Sequence, residues 1–410
     1  MRYSVSLLCV CALGAQVIGC GDSDRQPLDR SLLVVVESSL HEPLQASLER
    51  YAETMELAQV QVHVESWAPG TVDELKALLF DHIDRHGIEG ALLIGDLPAA
   101  WYEQFGFEGH EDFPMDVYLQ DRDATWVDQD DDGIFDYHTD LDLDIYTARL
   151  NGTPTQLQDY FARAQHYRSV GPLVDVSAFI FIDDDWSTTN TSDAFHLDEL
   201  YSSVEIIQDK ADSTLENYRA KLTGDGAEFV YQKIHAGPRF LTFDEHLDEH
   251  GELVQSKLSA GDIADYNLKV SFLNMTNCSA ARFTTAGNVA EAYTVGTEYG
   301  LAVIGSTKVG HLTDPRLFHQ NLVQGMRWGE AYQAWYNEEG KHNDVWYLGV
   351  VIMGDPLLRL TGDLFPSGGT DAARWDLLED VEGTTPECAA AVKLGTFEEY
   401  REAHPEFFDD

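Results

Sequence analysis

Two residues with side chains suited to covalent catalysis follow apolar segments in the second half of the chain. His235 comes directly after residues 229–234, and Cys278 comes shortly after residues 270–275. A cysteine attacks a carbonyl carbon as the thiolate, and a neighbouring imidazolium favours that charged form. The pair therefore indicates nucleophilic chemistry, provided that the fold brings the two segments together.

Either residue alone carries little information. A single cysteine after a strand is more often a buried structural thiol, and a single histidine is more often a satisfied core residue. Their positions at strand ends give the pair more weight, because the carboxyl ends of adjacent parallel strands meet at one edge of a sheet. We therefore expect His235 and Cys278 to share a cleft.

The spacing of apolar residues predicts two series of alternating strands and helices. The first has strands at 31–36, 60–64 and 91–96 and helices at 43–58 and from the capping box Thr71–Glu74 to Gly87. The second has strands at 176–182, 229–234, 270–275, 301–304 and 350–353 and helices at 192–212, 289–297 and 315–338. This pattern predicts an α/β protein of two doubly wound units with mainly parallel sheets.

From about residue 92 to 360 the chain resembles the gingipain family of cysteine peptidases. Besides the segments that lead to His235 and Cys278, the matching segments are 91–96, 142–150, 300–307 and 353–358. The resemblance implies a caspase-like fold for the second unit and hydrolysis of peptide bonds in protein or peptide substrates. It also implies that Cys278 is the nucleophile and that His235 is its acid–base partner.

The residues after the histidine depart from the family pattern. The family has a glycine directly after the histidine, whereas this chain has Ala236 before Gly237. The backbone N–H groups of these two residues are candidate donors to the oxyanion of a tetrahedral intermediate. Alanine also donates an N–H but adopts a positive φ less readily. This departure supports a rival interpretation, in which a calcium-stabilised surface lipoprotein keeps the peptidase fold without the chemistry.

In the family a carboxylate from the region after an earlier strand orients the imidazole. Here the strand predicted at 176–182 leads into Asp183, Asp184 and Asp185. The sequence does not separate the three, and we assign the role to Asp185. The alternative is that these residues cap the loop or bind a cation.

An aspartate-rich segment of the first unit predicts a structural calcium site. The predicted oxygen ligands are the carboxylates of Asp128, Asp130, Asp132 and Asp136 and the carbonyl group of Ile134. Carboxylates at alternate positions suit a hard cation, and Gly133 permits a sharp turn. Thr139 stands where an EF-hand has its closing glutamate, so Asp140 and Asp142 are further candidate ligands. The alternative is a solvated acidic turn, and no nucleotide-binding motif indicates an organic cofactor.

The chain is strongly acidic, with 26 basic and 72 acidic residues and a formal net charge of −46. Such a field repels nucleic acids and anionic membranes, so neither is a predicted partner. The charge suits either a solvated surface in a saline or calcium-rich medium or the attraction of basic substrates.

The N-terminal residues have the pattern of an export signal. Arg2 precedes an apolar run at 5–18, and Cys20 follows where a lipoprotein signal is cleaved and lipidated. The alternative is simple secretion with cleavage nearby. The run is shorter than the roughly 20 residues that span a bilayer, so membrane contact is predicted through the lipid alone. Besides Cys20, the processed chain keeps only Cys278 and Cys388, which are too few for a disulfide framework.

The sequence thus predicts an exported protein of the cell envelope or cell surface. Its predicted regions are a signal peptide at 1–19, a lipidated cysteine and tether at 20–30, an N-terminal α/β subdomain with the calcium loop at 31–170, a caspase-like catalytic subdomain at 171–362 and an acidic C-terminal extension at 363–410.

Overall fold

The computed structural model describes residues 30–106, 109–247, 250, 253–310 and 312–362. The predicted signal peptide, Cys20 and the extension at 363–410 lie outside the described residues and stay predictions. Among the helices that are described, none combines the length and the apolar character needed to cross a bilayer.

In the described parts of the chain, the backbone forms seventeen strands. They are β1 (Arg30–Glu37), β2 (Val60–Trp67), β3 (Gly90–Ile94), β4 (Ala100–Gly106), β5 (Gly109–Met115), β6 (Trp126–Val127), β7 (Tyr137–His138), β8 (Tyr146–Leu150), β9 (Ala178–Ile182), β10 (Val204–Ile207), β11 (Ala227–Lys233), β12 (His235–Gly237), β13 (Phe240–Leu247), β14 (Leu253–Ser259), β15 (Val270–Thr276), β16 (Ala302–Ser306) and β17 (Val350–Gly354).

The same residues form ten α-helices. They are α1 (Ser38–Leu57), α2 (Val72–His86), α3 (Val117–Gln120), α4 (Pro154–Ser169), α5 (Leu215–Thr223), α6 (Ala260–Asp265), α7 (Val289–Thr294), α8 (Arg316–Val323), α9 (Trp328–Glu338) and α10 (Asp344–Tyr347).

One continuous sheet contains ten of the strands, in the order β10-β9-β11-β15-β16-β17-β8-β3-β1-β2. All neighbours in it are parallel except β16 and β17. The predicted α/β class with a mainly parallel sheet is therefore confirmed. The two predicted series occupy the two halves of this one sheet, because β8, a strand that was not predicted, pairs with β17 of the second series and with β3 of the first.

Buried polar contacts around Asp355 hold the two halves together. The Asp355 carboxylate accepts hydrogen bonds from Arg168 of α4 at 2.5 Å and from Tyr51 of α1 at 3.0 Å. Arg163, also in α4, donates to the carbonyl groups of Gly300 at 2.8 Å and Thr294 at 2.7 Å. Helix α4 therefore contacts residues from both halves of the sheet. Loss of Arg168 would leave the Asp355 carboxylate buried without its cation, which is strongly destabilising.

Burial explains why the central strands are rich in apolar residues. Every residue of β3, β8, β9, β15, β16 and β17 is buried, as expected where helices cover both faces of a parallel sheet. Helix α2 has both predicted end signals. Thr71 and Glu74 form a reciprocal capping box, and Gly87 ends the helix with a φ of 63°.

The helix predicted at 192–212 is wrong. Residues Ala194–Glu199 form a 3₁₀ turn in which Phe195 and His196 have positive φ values of 50° and 67°. Residues Val204–Ile207 form the edge strand β10, which pairs with β9. Three of these four residues are β-branched and favour a strand, and the pairing outweighs the helical spacing.

The long helix predicted at 315–338 is two helices, α8 and α9. Gly325, with a φ of 90°, lies in the turn between them, and the Glu330 carboxylate accepts a hydrogen bond from the Arg327 N–H at 2.9 Å at the start of α9. The hairpin β4-β5 and the three-stranded sheet β12-β13-β14 are not among the predicted elements.

Candidate active site

Four neighbouring parallel strands end together at one edge of the central sheet. They lie in the order β9, β11, β15 and β16. The register of β11 pairs Lys233 with both Ile182 and Thr276, so these strand ends are level. Two or three residues beyond the four strands lie Asp185, His235, Cys278 and Lys308, in that order. The fold therefore brings His235 and Cys278 to the same edge.

His235 is held on two sides. Its Nε2 lies 2.9 Å from Oδ2 of Asp185, and the rings of His235 and Trp186 are 4.4 Å apart between centroids. The imidazole is 34% exposed and the Asp185 carboxylate 55% exposed, so both are open to solvent. A carboxylate that accepts a hydrogen bond from Nε2–H fixes the tautomer and leaves Nδ1 as the nitrogen for proton transfer.

The three adjacent aspartates have different contacts in the structure. Asp185 contacts His235, whereas the Asp184 carboxylate pairs with Lys210. Asp183 is completely buried, and no described side chain hydrogen-bonds to its carboxylate. Burial raises the pKa of Asp183 to about 7. Strongly raised carboxyl pKa values are common at functional sites.

Replacing Asp183 with asparagine is expected to increase the free energy of unfolding, and more so at higher pH. The folded pKa is about 7, whereas an unfolded aspartate has a pKa of about 3.9. Between these values only the unfolded chain loses the proton, so wild-type stability falls as the pH rises. The asparagine variant avoids this loss, and its advantage approaches about 2 to 4 kcal/mol above pH 7.

Urea unfolding at a series of pH values measures this effect. The neighbouring Asp184→Asn variant is the control, because Asp184 pairs with Lys210. A stability difference between wild type and Asp183→Asn that is equal at acidic and alkaline pH would contradict the prediction.

Cys278 is half-buried and lies in a constrained turn. The Gly310 N–H donates a hydrogen bond to Sγ at 3.4 Å. Ser279, the next residue, has a positive φ of 53°, a strained conformation that clusters at functional sites. Its N–H donates to the Lys308 carbonyl group at 2.8 Å. The turns after β15 and β16 therefore fix each other.

Lys308 places a buried cation beside Cys278. Its side chain is 0% exposed, and Nζ lies 3.0 Å from Oε1 of Glu111 and 2.6 Å from the Val309 carbonyl oxygen. Glu111 also accepts the Val309 N–H at 3.0 Å. Burial lowers the pKa of Lys308, whereas Glu111 and the negative charge of Cys278 raise it. The same attraction favours the Cys278 thiolate.

Sequence reasoning missed both Lys308 and Glu111. Lys308 lies shortly after the strand predicted at 301–304, as His235 and Cys278 lie shortly after their predicted strands. This position after a strand could have identified Lys308 as a candidate site residue. Glu111 had no signal, because the unpredicted hairpin β4-β5 brings it from almost 200 residues away.

A buried amide links the histidine and cysteine segments. Nδ2 of Asn277 donates to the Ile234 carbonyl group, and Oδ1 accepts a hydrogen bond from Gln232 at 2.8 Å. Asn277 is buried and precedes Cys278, and Ile234 precedes His235. This cross-link fixes the spacing of the two strand ends.

Ala236 and Gly237 lie in the short strand β12, opposite Leu241 and Phe240 of β13. Neither residue has a positive φ, so alanine at 236 causes no left-handed strain. At 237 an added Cβ would lie 2.9 Å from the Phe240 ring, so a side chain there would require that ring to shift. The role of their N–H groups as oxyanion donors stays a prediction.

The aspartate-rich loop gathers carboxylates closely enough for a cation. Two overlapping groups have oxygen atoms within 4.8 Å of one another: Asp128, Asp130 and Asp132, and Glu103, Asp130 and Asp136. Glu103 of β4 was not predicted. Gly133 has a φ of 93°, as the predicted sharp turn requires. The negative charge of Asp132 is the main cause that raises the pKa of Asp130, and a bound cation would relieve this repulsion.

The contacts of the other predicted calcium ligands, Ile134, Asp140 and Asp142, say less about cation binding. The Ile134 N–H donates to Asp132 at 2.8 Å, which is a contact within the loop. Asp142 pairs with Lys341 at 3.2 Å, and neither Asp142 nor Asp140 joins a carboxylate group among the described residues.

A mainly parallel α/β sheet that ends in a histidine and a cysteine on adjacent strands has the architecture of a caspase-like cysteine peptidase. The model of peptidase family C25 matches residues 26–361, and the chain therefore belongs to peptidase family C25, the gingipain family. The predicted resemblance is confirmed.

Comparison with solved structures supports the fold. The chain is similar to the Arg-specific cysteine proteinase gingipain R (RGPB), with a TM-score of 0.59, 14% identity and coverage of 83% of this chain and 81% of that chain. The XylFII molecule matches with a TM-score of 0.19, 11% identity and coverage of 80% and 99%, too low a score to indicate a shared fold. No curated protein matches the chain significantly.

Proposed function

We propose that this protein is an exported cysteine endopeptidase that hydrolyses peptide bonds in proteins through a Cys278–His235 acyl-enzyme mechanism. The observation that carries the proposal is that adjacent parallel strands lead to His235 and Cys278, with Asp185 2.9 Å from the imidazole. Membership of a peptidase family supports the same reaction.

In the proposed reaction, His235 accepts the thiol proton of Cys278. The thiolate attacks the peptide carbonyl carbon and forms a C–S bond, and the N–H groups of Ala236 and Gly237 stabilise the oxyanion. The imidazolium then donates its proton to the departing amine as the C–N bond breaks. In the second half, His235 accepts a proton from water, the resulting hydroxide attacks the acyl carbon, and the C–S bond breaks to release the acid.

A thiol-directed peptide probe, such as a peptidyl chloromethyl ketone, tests the proposal directly. After labelling and digestion, we expect the modification at Cys278 and not at Cys388. Labelling that is absent or equal at both cysteines, together with no cleavage across a peptide panel, would favour the non-catalytic lipoprotein.

We also propose that the Lys308 ammonium stabilises the thiolate form of Cys278. Replacing Lys308 with methionine is expected to lower kcat/KM about 10- to 100-fold near pH 7, because it removes a nearby cation that is shielded from water. The pH midpoint of alkylation by iodoacetamide should move upward. At high pH the variant should recover, because the thiol then ionises unaided.

This substitution leaves Glu111 without its cation, so a double variant is needed as the control. Lys308→Met combined with Glu111→Gln removes both charges and keeps the shapes similar. An alkylation midpoint in the double variant that equals that of wild type would contradict a role for Lys308 in thiolate stabilisation.

We propose that the aspartate-rich loop binds Ca²⁺ and stabilises the fold. The two close carboxylate groups and the turn at Gly133 support this proposal. Chelation by EGTA is expected to lower the melting temperature by about 3 °C or more, because a cation that binds only the folded state stabilises it. Asp130→Asn should abolish the difference, whereas the exposed control Asp142→Asn should keep it. Identical melting curves with and without EGTA would contradict the proposal.

We propose further that Cys20 carries a lipid that anchors the exported protein, which the sequence pattern at residues 5–20 supports. Detergent-phase partitioning of the wild-type protein, with loss of partitioning in Cys20→Ser, tests this point. Partitioning of both proteins into the aqueous phase would favour simple secretion.

A further inference from the structure

A chain of buried hydrogen bonds runs from two helices on one face of the central sheet to the backbone beside the active-site histidine. The hydroxyl oxygens of Tyr293 in α7 and Tyr218 in α5 are 2.6 Å apart. The Tyr218 oxygen lies 2.5 Å from Oε1 of Gln232 in β11, and Nε2 of Gln232 lies 2.8 Å from Oδ1 of Asn277. Nδ2 of Asn277 contacts the Ile234 carbonyl oxygen. We refer to the four side chains as the tyrosine–amide network.

One carbonyl group fixes the direction of every hydrogen bond in this network. The Ile234 carbonyl oxygen can only accept, so Asn277 presents its N–H to it and its oxygen to Gln232. Gln232 must then present its N–H to Asn277 and its oxygen to Tyr218, which donates. This bond uses the one proton of the Tyr218 hydroxyl, so Tyr293 donates to Tyr218. Neither amide can flip without placing two acceptors or two donors face to face.

Burial makes this arrangement costly to disturb. The four side chains are at most 2% exposed, and every nitrogen and oxygen atom in them has a hydrogen-bond partner. Aligned hydrogen bonds in a medium of low dielectric constant polarise one another, and a buried polar group that loses its partner is destabilising. The network therefore holds Asn277 in a single orientation.

Helix α7 also contacts the loops that follow the two active-site strands. The backbone N–H groups of its first two residues donate to the carbonyl groups of Pro238 at 2.9 Å and Ala280 at 3.0 Å. Pro238 lies three residues after the histidine, and Ala280 lies two residues after the cysteine. Tyr293 thus connects the network to a helix that contacts both loops.

We propose that the tyrosine–amide network positions Cys278 and His235 for proton transfer, with Asn277 as the member that acts on both. Asn277 directly precedes the cysteine and binds the carbonyl group of the residue before the histidine. A displacement of about 1 Å between reacting groups can lower the rate about 100-fold. This inference rests on the proposed Cys278–His235 mechanism and adds four positioning residues to it.

A comparison of single and double variants tests the network. We expect kcat to fall about 3- to 10-fold in Tyr218→Phe and about 100-fold in Asn277→Ala, with KM changed less than about twofold. In the Asn277→Ala background, Tyr218→Phe should lower kcat no further, because the hydroxyl group acts only through the missing amide. Losses that multiply in the double variant, or unchanged kcat in both single variants, would overturn the proposal.

Tyr160→Phe is the matched control for loss of a buried hydroxyl group. The Tyr160 hydroxyl also donates one hydrogen bond, to the Leu301 carbonyl group at 2.5 Å, and accepts another, from the Asp355 N–H at 2.6 Å. Leu301 precedes β16, so these contacts lie at the opposite edge of the sheet from the active site. Tyr160→Phe should lower the melting temperature about as much as Tyr218→Phe does but leave kcat unchanged. Equal losses of kcat in both variants would contradict a positioning role.

Alkylation of Cys278 by iodoacetamide distinguishes this inference from the proposed peptidase function, because it needs no peptide substrate. His235→Gln is expected to raise the pH midpoint of alkylation by about 1 pH unit in the otherwise wild-type protein. The same substitution should raise it less than half as much in Asn277→Ala, where the spacing of the two side chains is no longer fixed. A protein that shows this difference but cleaves no peptide would contradict the peptidase function alone. Equal changes in both backgrounds would overturn the positioning role, whether or not the protein cleaves peptides.

Discussion

Replacing Cys278 with alanine is expected to abolish peptide hydrolysis, with kcat/KM at least 10³-fold below wild type. The variant keeps any oxyanion donors but has no atom that can form the acyl-enzyme. Cleavage of casein and of fluorogenic peptides measures the loss. Peptide binding should be largely retained, because alanine removes only the sulfur.

Two controls separate loss of the nucleophile from loss of the fold. The melting temperature of Cys278→Ala should stay close to that of wild type, since Cys278 is only half-buried. Cys388→Ala removes the other thiol predicted to remain in the processed chain and should keep full, iodoacetamide-sensitive activity. Residual cleavage by Cys278→Ala near the wild-type rate, or cleavage that iodoacetamide leaves unchanged, would rule out the cysteine mechanism.

Replacing His235 with glutamine is expected to lower kcat about 10²- to 10⁴-fold, because the variant lacks the group that exchanges protons with the thiol, the leaving amine and water. The pH midpoint of alkylation at Cys278 should also rise, because the imidazolium partner of the thiolate is gone. Stopped-flow alkylation and steady-state hydrolysis across the pH range measure the two effects separately.

The three neighbouring aspartates supply the control for His235. Asp185→Asn should cause a smaller loss than His235→Gln, because Asp185 acts through the imidazole and is half exposed. Asp184→Asn should leave kcat unchanged, because this carboxylate pairs with Lys210. A greater loss in Asp184→Asn than in Asp185→Asn would contradict the assignment of Asp185 as the positioning residue.

Much of the fold follows from local patterns in the sequence. The strands that end near His235 and Cys278 are rich in apolar residues that favour burial, and the ends of parallel neighbours meet at one edge. Helix α2 begins and ends as predicted, because its capping box and Gly87 satisfy backbone groups locally. The prediction failed at 192–212, where pairing with a neighbouring strand outweighs helical spacing.

Other features depend on contacts between distant residues. Glu111 reaches Lys308 only through the hairpin β4-β5. The aspartates at 183–185 are chemically alike in the chain, and burial, Lys210 and His235 make them different. The residue types and strand ends are thus encoded locally, since burial and capping act over a few residues. Tertiary packing determines which of these residues contact one another, because electrostatic interactions and hydrogen bonds depend on the distance between atoms in the folded chain.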